Sequence, residues 1–174
     1  MRPARLILVL ALVLGLALSA WAGSQQAEVV YVNDGDTITV RLKGKDRLVR
    51  LIGVDAPETG HSTGLERRAR RHGRAPRQEA EAGRTARAAL GRLVKKGDTV
   101  TLVDGRPQSK LTDRYGRMLA FVYLPGGRML NQELIAGGWA RVYRRFDFRH
   151  KTDFVRAEKE ARQARRGLWV QGGP

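Results

Sequence analysis

The sequence predicts an α+β protein, a closed five-stranded Greek-key barrel with about three helices packed outside it. Two observations predict it. The first half is built of short β-branched runs separated by tight turns, and helix-spaced apolar residues appear only later. The resulting order is three strands, a helix, two strands and two helices in roughly 150 residues, which suits a small closed barrel.

Each element has its own signal. Val29 to Val32 is β-branched and aromatic, and Asn33-Asp34-Gly35-Asp36 is a turn. Ile38, Val40 and Leu42 then alternate with Thr37, Thr39 and Arg41 as a second strand. A turn at Lys43-Gly44-Lys45-Asp46 leads into a third, more continuously apolar strand from Leu48 to Val54, which Asp55-Ala56-Pro57-Glu58 ends. Residues 60–77 hold six arginines with hardly any apolar spacing and are expected to form a basic loop. A helix follows, with Ala82, Ala86, Leu90 and Leu93 on one face and Gly97 expected at its C′ position. Thr99–Val103 and Met118–Leu124 are the fourth and fifth strands. Leu130–Ile135 is a short helix stopped by Gly137-Gly138, and Phe154, Ala157, Ala161 and Ala164 mark a last helix with Gly167 as its stop.

The chain has 174 residues, with 33 Lys and Arg against 17 Asp and Glu, a formal charge of +16. That length suits one domain with a real core. The charge points to a polyanionic partner, nucleic acid or an acidic membrane. The last helix interleaves Arg156, Lys159 and Arg162 with Glu158 and Glu160, which dilutes the basic face a membrane would need. There is no cysteine, which excludes disulfides, a thiolate zinc site and a cysteine nucleophile.

Residues 1–22 read as a signal peptide: Arg2 and Arg5 precede an apolar run of 13 residues, Leu6 to Leu18, and Ala20-Trp21-Ala22 fits a cleavage site. The run falls short of the roughly 20 residues of a spanning helix. Export to the periplasm or medium is expected, with an uncleaved membrane anchor as the alternative, and residues 23–174 form a single domain. Without Arg2 and Arg5 the domain still carries 31 basic and 17 acidic residues.

Several polar residues are candidates for chemistry. Asp36 edges one tight turn, and Asp55 and Glu58 frame another; acids are common at turns, but clustered carboxylates without thiols suit a hard cation, Ca²⁺ or Mg²⁺. The spacing does not make an EF-hand, because Lys45 stands where its bidentate Glu should be. His61, His72 and His150 lack paired-ligand spacing and are read as surface residues. Arg50 interrupts an apolar strand and needs an anion beside it, either a carboxylate or a bound phosphate.

Three blocks resemble the staphylococcal nuclease (thermonuclease) family: Asp34-Gly35-Asp36-Thr37, Arg50 to Thr59, and Thr112-Asp113-Arg114-Tyr115-Gly116-Arg117, in that order, with Gly167-Leu168-Trp169 near the end. The resemblance covers most of residues 28–169 and implies an OB-fold and a Ca²⁺-dependent phosphodiesterase acting on DNA and RNA. It implies Asp36, Asp55 and the Ala56 backbone carbonyl as calcium ligands, and Glu58 as the group that activates water. Arg50 and Arg117 would hold phosphate oxygens, with Tyr115, Tyr143 and Arg114 contacting the nucleotide. The family often has Thr at the position of Ala56, a change that leaves the carbonyl in place. A nucleic-acid-binding barrel without catalysis is the alternative, but binding alone has no use for three acids that repel phosphate. No stable protein partner is expected, and a monomer is the default.

Overall fold

The computed structural model describes residues 24–60, 63–105 and 112–170. The expected signal peptide and His61 lie outside these residues. No helix among them is long and apolar enough to cross a membrane.

Strands β1 (Ser24–Asp34), β2 (Thr37–Leu42), β3 (Lys45–Leu51), β5 (Thr99–Asp104) and β6 (Met118–Tyr123) close a barrel in the order β1-β2-β3-β6-β5. All pairs are antiparallel except β3 with β6. Lys43 and Gly44 both have positive φ, 50° and 75°, which gives the β2–β3 hairpin a two-residue turn whose twist matches its strands. The alternation read from the sequence fills the barrel: Val29, Ile38, Val40, Val49, Leu51, Val100, Leu102 and Phe121 are buried.

The third strand stops sooner than expected. Gly53 turns the chain at φ 77°, and Val54–Asp55 leave the barrel as β4 to pair with β7 (Arg141–Val142) in a separate two-stranded ribbon. This detour carries Asp55 out of the barrel wall and into the site.

Among the described residues four helices pack outside, α1 (Thr63–Arg71), α2 (Pro76–Leu93), α3 (Leu130–Ala136) and α4 (Lys151–Gln163), followed by a 3-10 turn at Gly167–Trp169. Helix α1 replaces most of the expected basic loop. Its buried stripe is Leu65, Ala69 and His72, spaced four and three apart, so only two of its members are apolar. Glu66 in its first turn and Arg68, Arg70 and Arg71 in its last suit the helix dipole. Gly73, at φ 62°, ends it in a Schellman motif, with the Gly73 N–H donating to the Arg70 carbonyl and the Arg74 N–H to that of Ala69.

Pro76 then opens α2. Gly97 is not its C′ residue: α2 ends at Leu93, and the Gly97 N–H bonds instead to the Val29 carbonyl at 2.8 Å, pinning the next turn to β1. Helix α3 ends at Gly137-Gly138 as expected. Arg165, at φ 51°, turns the chain at the end of α4 in the place expected of Gly167. Asn131 on α3 is fully buried; it accepts from the Val122 N–H and donates to the carbonyls of Ile52 and Ala120, fixing the point where the chain leaves β3.

Candidate active site

The two-residue turn between β1 and β2 carries Asp36, the β4 detour carries Asp55, and the turn after it carries Ala56 and Glu58. Asp36 and Asp55 are both buried. The Asp36 carboxylate accepts from the Thr37 hydroxyl at 2.9 Å, the Ala56 N–H at 3.1 Å and an Arg50 Nη at 3.0 Å. Arg50 thus has the carboxylate partner that its place in an apolar strand demanded, and its second Nη reaches toward the carbonyls of Asp36 and Leu51. Leu48, expected to open the apolar third strand, is exposed.

At the centre stands a residue the sequence did not single out. Arg68 on α1 donates from Nη1 to Asp55 Oδ1 at 2.6 Å and to the Ala56 carbonyl at 3.0 Å, and its Nε lies 2.9 Å from Glu58 Oε1. One guanidinium gathers the carboxylates of Asp55 and Glu58 and the carbonyl of Ala56.

Behind it lies a buried charge network. His72 is not a surface residue: it is 4% exposed, with Nδ1 2.8 Å from Glu79 Oε1 and Nε2 3.8 Å from Asp55 Oδ2. Glu79, fully buried at the start of α2, also pairs with Arg74 at 3.4 Å. Burial opposes charge on His72, but its contacts with Asp55 and Glu79 raise its pKa overall. Burial opposes charge on Asp55 as well; His72, Arg68 and Arg50 outweigh it and hold the carboxyl down at about 2. Asp34 is pushed the other way, up to about 6, by burial and by the neighbouring charges of Asp36 and Glu58.

Above this floor opens a cavity of about 780 Å³. Arg50, Glu58, Arg68, Arg114, Tyr115, Arg117 and Tyr143 all line it, so every catalytic and nucleotide-contacting side chain expected from the sequence meets there. Two of these lining residues reach the buried groups: Arg50 holds Asp36, and Arg68 holds Asp55 and the Ala56 carbonyl. Asp113 aligns Arg117 by accepting from Nε and Nη2, each at 2.8 Å, and accepts its backbone N–H as well. Tyr115 is 65% exposed with the Arg114 guanidinium 4.7 Å from its ring centroid, a flat surface open to a base. Tyr143 packs against Phe146, ring centroids 5.0 Å apart. Arg67 and Arg71, one helical turn apart on α1, and Arg145 add positive charge to the wall.

The arrangement presents guanidinium groups beside a carboxylate, over buried acids. That combination suits binding an anionic ester and moving a proton at it.

The sequence profile described as Staphylococcal nuclease homologue matches residues 48–171. A protein named uncharacterized endonuclease from Escherichia coli O157:H7 is 36% identical over 148 residues, covering 84% of this chain and 78% of its own. The micrococcal nuclease of Shigella flexneri is 34% identical, covering 91% and 81% of the two chains. The thermonuclease of Staphylococcus hyicus is 32% identical, covering 85% and 78%.

Proposed function

The chain belongs to the staphylococcal nuclease homologue family, and from that premise we propose that it is an exported, Ca²⁺-dependent endonuclease that hydrolyses phosphodiester bonds of DNA and RNA without sequence preference. One observation carries the reading: Arg50, Arg117 and Glu58 line one cavity directly over Asp36 and Asp55. The export part rests on the leader-like residues 1–22, with membrane anchoring by the same segment as the alternative.

The donor set suits calcium. Asp36, Asp55, the Ala56 carbonyl and Glu58 offer only hard oxygen atoms, and three of those groups already converge on one cation, the Arg68 guanidinium. As arranged here, no three His, Asp or Glu residues are grouped as metal ligands among the described residues. Asp36, Asp55 and the Ala56 carbonyl would hold the ion once Arg68 withdraws. Calcium, when bound, supplies charge that polarises a phosphoryl oxygen.

The chain's own residues do the rest. Arg50 and Arg117 present planar forks to the phosphate oxygens and stabilise the charge that builds up in the five-coordinate transition state. Asp36 and Asp113 keep those forks oriented before substrate arrives. The Glu58 carboxylate takes the proton of the attacking water, and Tyr115 and Tyr143 offer stacking surfaces that tolerate any base.

The direct test is hydrolysis of a labelled single-stranded DNA with millimolar calcium and again with chelator. Cleavage that requires calcium is the expected result. Tight binding without cleavage under any divalent metal would leave a nucleic-acid-binding barrel.

Salt should weaken binding in proportion to the phosphates neutralised, by about 0.7 logarithmic units of affinity per tenfold rise in salt for each phosphate of a single strand. Replacing Arg67 and Arg71 together with alanine should therefore reduce that slope by about 1.4 in anisotropy titrations with chelator present. An unchanged slope would assign both arginines to solvent rather than to the substrate path.

A further inference from the structure

We infer that Arg68 is a tethered competitor for the metal: its guanidinium and a divalent cation take the Asp55 carboxylate and the Ala56 carbonyl in turn, so this residue sets the ion concentration at which the site becomes active. The inference rests on the calcium-dependent reading above.

Three features support it. The first is the identity of the partners. Asp55 Oδ1 at 2.6 Å, the Ala56 carbonyl at 3.0 Å and Glu58 Oε1 at 2.9 Å are held by one side chain, and two of these groups are ligands in the proposed calcium site. Lone pairs directed at a guanidinium cannot also be directed at an ion, and the two cations repel each other at ligand distances.

The second is the cost that Arg68 removes. Asp36 and Asp55 are 6% and 7% exposed, and acids that deeply placed need a compensating charge at all times. Arg50 supplies it to Asp36, and Arg68, with His72 nearby, supplies it to Asp55 before an ion arrives.

The third is that Arg68 can leave without unfolding anything. Helix α1 is anchored by the buried Leu65, Ala69 and His72, none of which needs to move with Arg68, and Arg68 itself borders the open cavity. Rotation of the side chain alone takes the guanidinium from the carboxylates into the space proposed for the phosphate, beside Arg50 and Arg117. Metal binding would then deliver one more positive charge to the substrate pocket.

Competition of this kind raises the apparent dissociation constant by the inverse of the fraction of molecules in which the site is free. Arg68→Ala should bind calcium at least about tenfold more tightly by titration calorimetry, given the strength of charge-assisted bonds. Arg68→Lys, which keeps the charge but not the fork, should fall between the two. Arg70→Ala removes the same charge from an exposed position two residues away on the same helix, where the arginine pairs with Glu66 at 3.8 Å; its affinity should stay within about twofold of the parent. Thermal melts give a second readout: in chelator Arg68→Ala should melt below the parent, and calcium should raise its midpoint by more than it raises the parent's.

Equal or weaker calcium binding by Arg68→Ala overturns the proposal, and so does an equal gain in Arg70→Ala, which would make the effect one of overall charge. Calcium bound by neither the parent nor Arg68→Ala overturns the calcium reading and this inference with it.

Discussion

Glu58→Gln should lower kcat by about 10²–10⁴ while leaving the dissociation constant for DNA close to that of the parent. The amide keeps the shape of the side chain and an oxygen able to accept from Arg68 Nε, so the turn and its neighbours need not rearrange. What is lost is the basicity that accepts the proton of water. The effect should therefore fall on turnover and leave binding alone, because the guanidinium groups that engage phosphate are untouched. Single-turnover rates with excess enzyme, compared with anisotropy titrations of the same strand in chelator, separate the two quantities. Turnover at the parent rate would remove Glu58 from the mechanism. A parallel loss of binding would instead show that the glutamate shapes the pocket.

Gly83→Ala should be nearly as damaging from a position outside the cavity. An alanine Cβ at residue 83 on α2 would lie 2.2 Å from the Glu58 carbonyl oxygen, 2.4 Å from its carbonyl carbon and 2.8 Å from the Thr59 nitrogen. These are backbone atoms, with no side-chain rotation to relieve the overlap. Either α2 retreats or the turn bearing Glu58 moves by something like an ångström, a displacement that typically costs about 10²-fold in rate. In an exposed helix interior the same substitution stabilises by about 1 kcal/mol. Gly91, on the same helix, meets nothing within 4 Å at its Cβ position and provides that contrast. Gly91→Ala should melt slightly above the parent and retain full activity, whereas Gly83→Ala should melt below it and lose turnover. Parent-like kinetics in Gly83→Ala would show that α2 does not hold the turn in place.

The barrel was legible because alternation of apolar residues is a direct consequence of a half-buried strand, and the chain keeps to it from Ile38 to Leu42 and from Thr99 to Val103. The third strand was read too long because Ile52 and Val54 look like strand residues, while the turn between them depends on Gly53 and on Asn131 far along the chain. Helix α1 was invisible for a different reason: the third member of its buried stripe is His72, whose burial is tolerated only because Glu79 lies opposite. Glu79 itself was readable. It falls in line with Gly83, Ala86 and Leu90 on the buried face of α2, and an acid on such a stripe announces a buried cation.

The site divides along the same line. Asp36, Arg50, Asp55, Glu58 and Arg117 sit in short blocks whose resemblance to the staphylococcal nuclease family implied a common site. The placement of Arg68 depends on how an irregular basic stretch folds, and arginines at 67, 68, 70 and 71 look alike until a helix points each in its own direction.

The pairing of β1 with β5 joins Ser24 to Val103 and Glu28 to Thr99, and the site borrows from both sides of that long closure, with Asp36 and Asp55 before it and Arg117 after. No stretch shorter than residues 36–117 holds the acids and both arginines together. Such distant pairing also forms slowly, after much of the chain is available. Were the chain exported as proposed, this order of assembly would act as a safeguard. A chain threaded outward before it folds would leave with its parts strung apart, unable to cut the nucleic acids of its own maker, and would acquire its activity only where folding is completed.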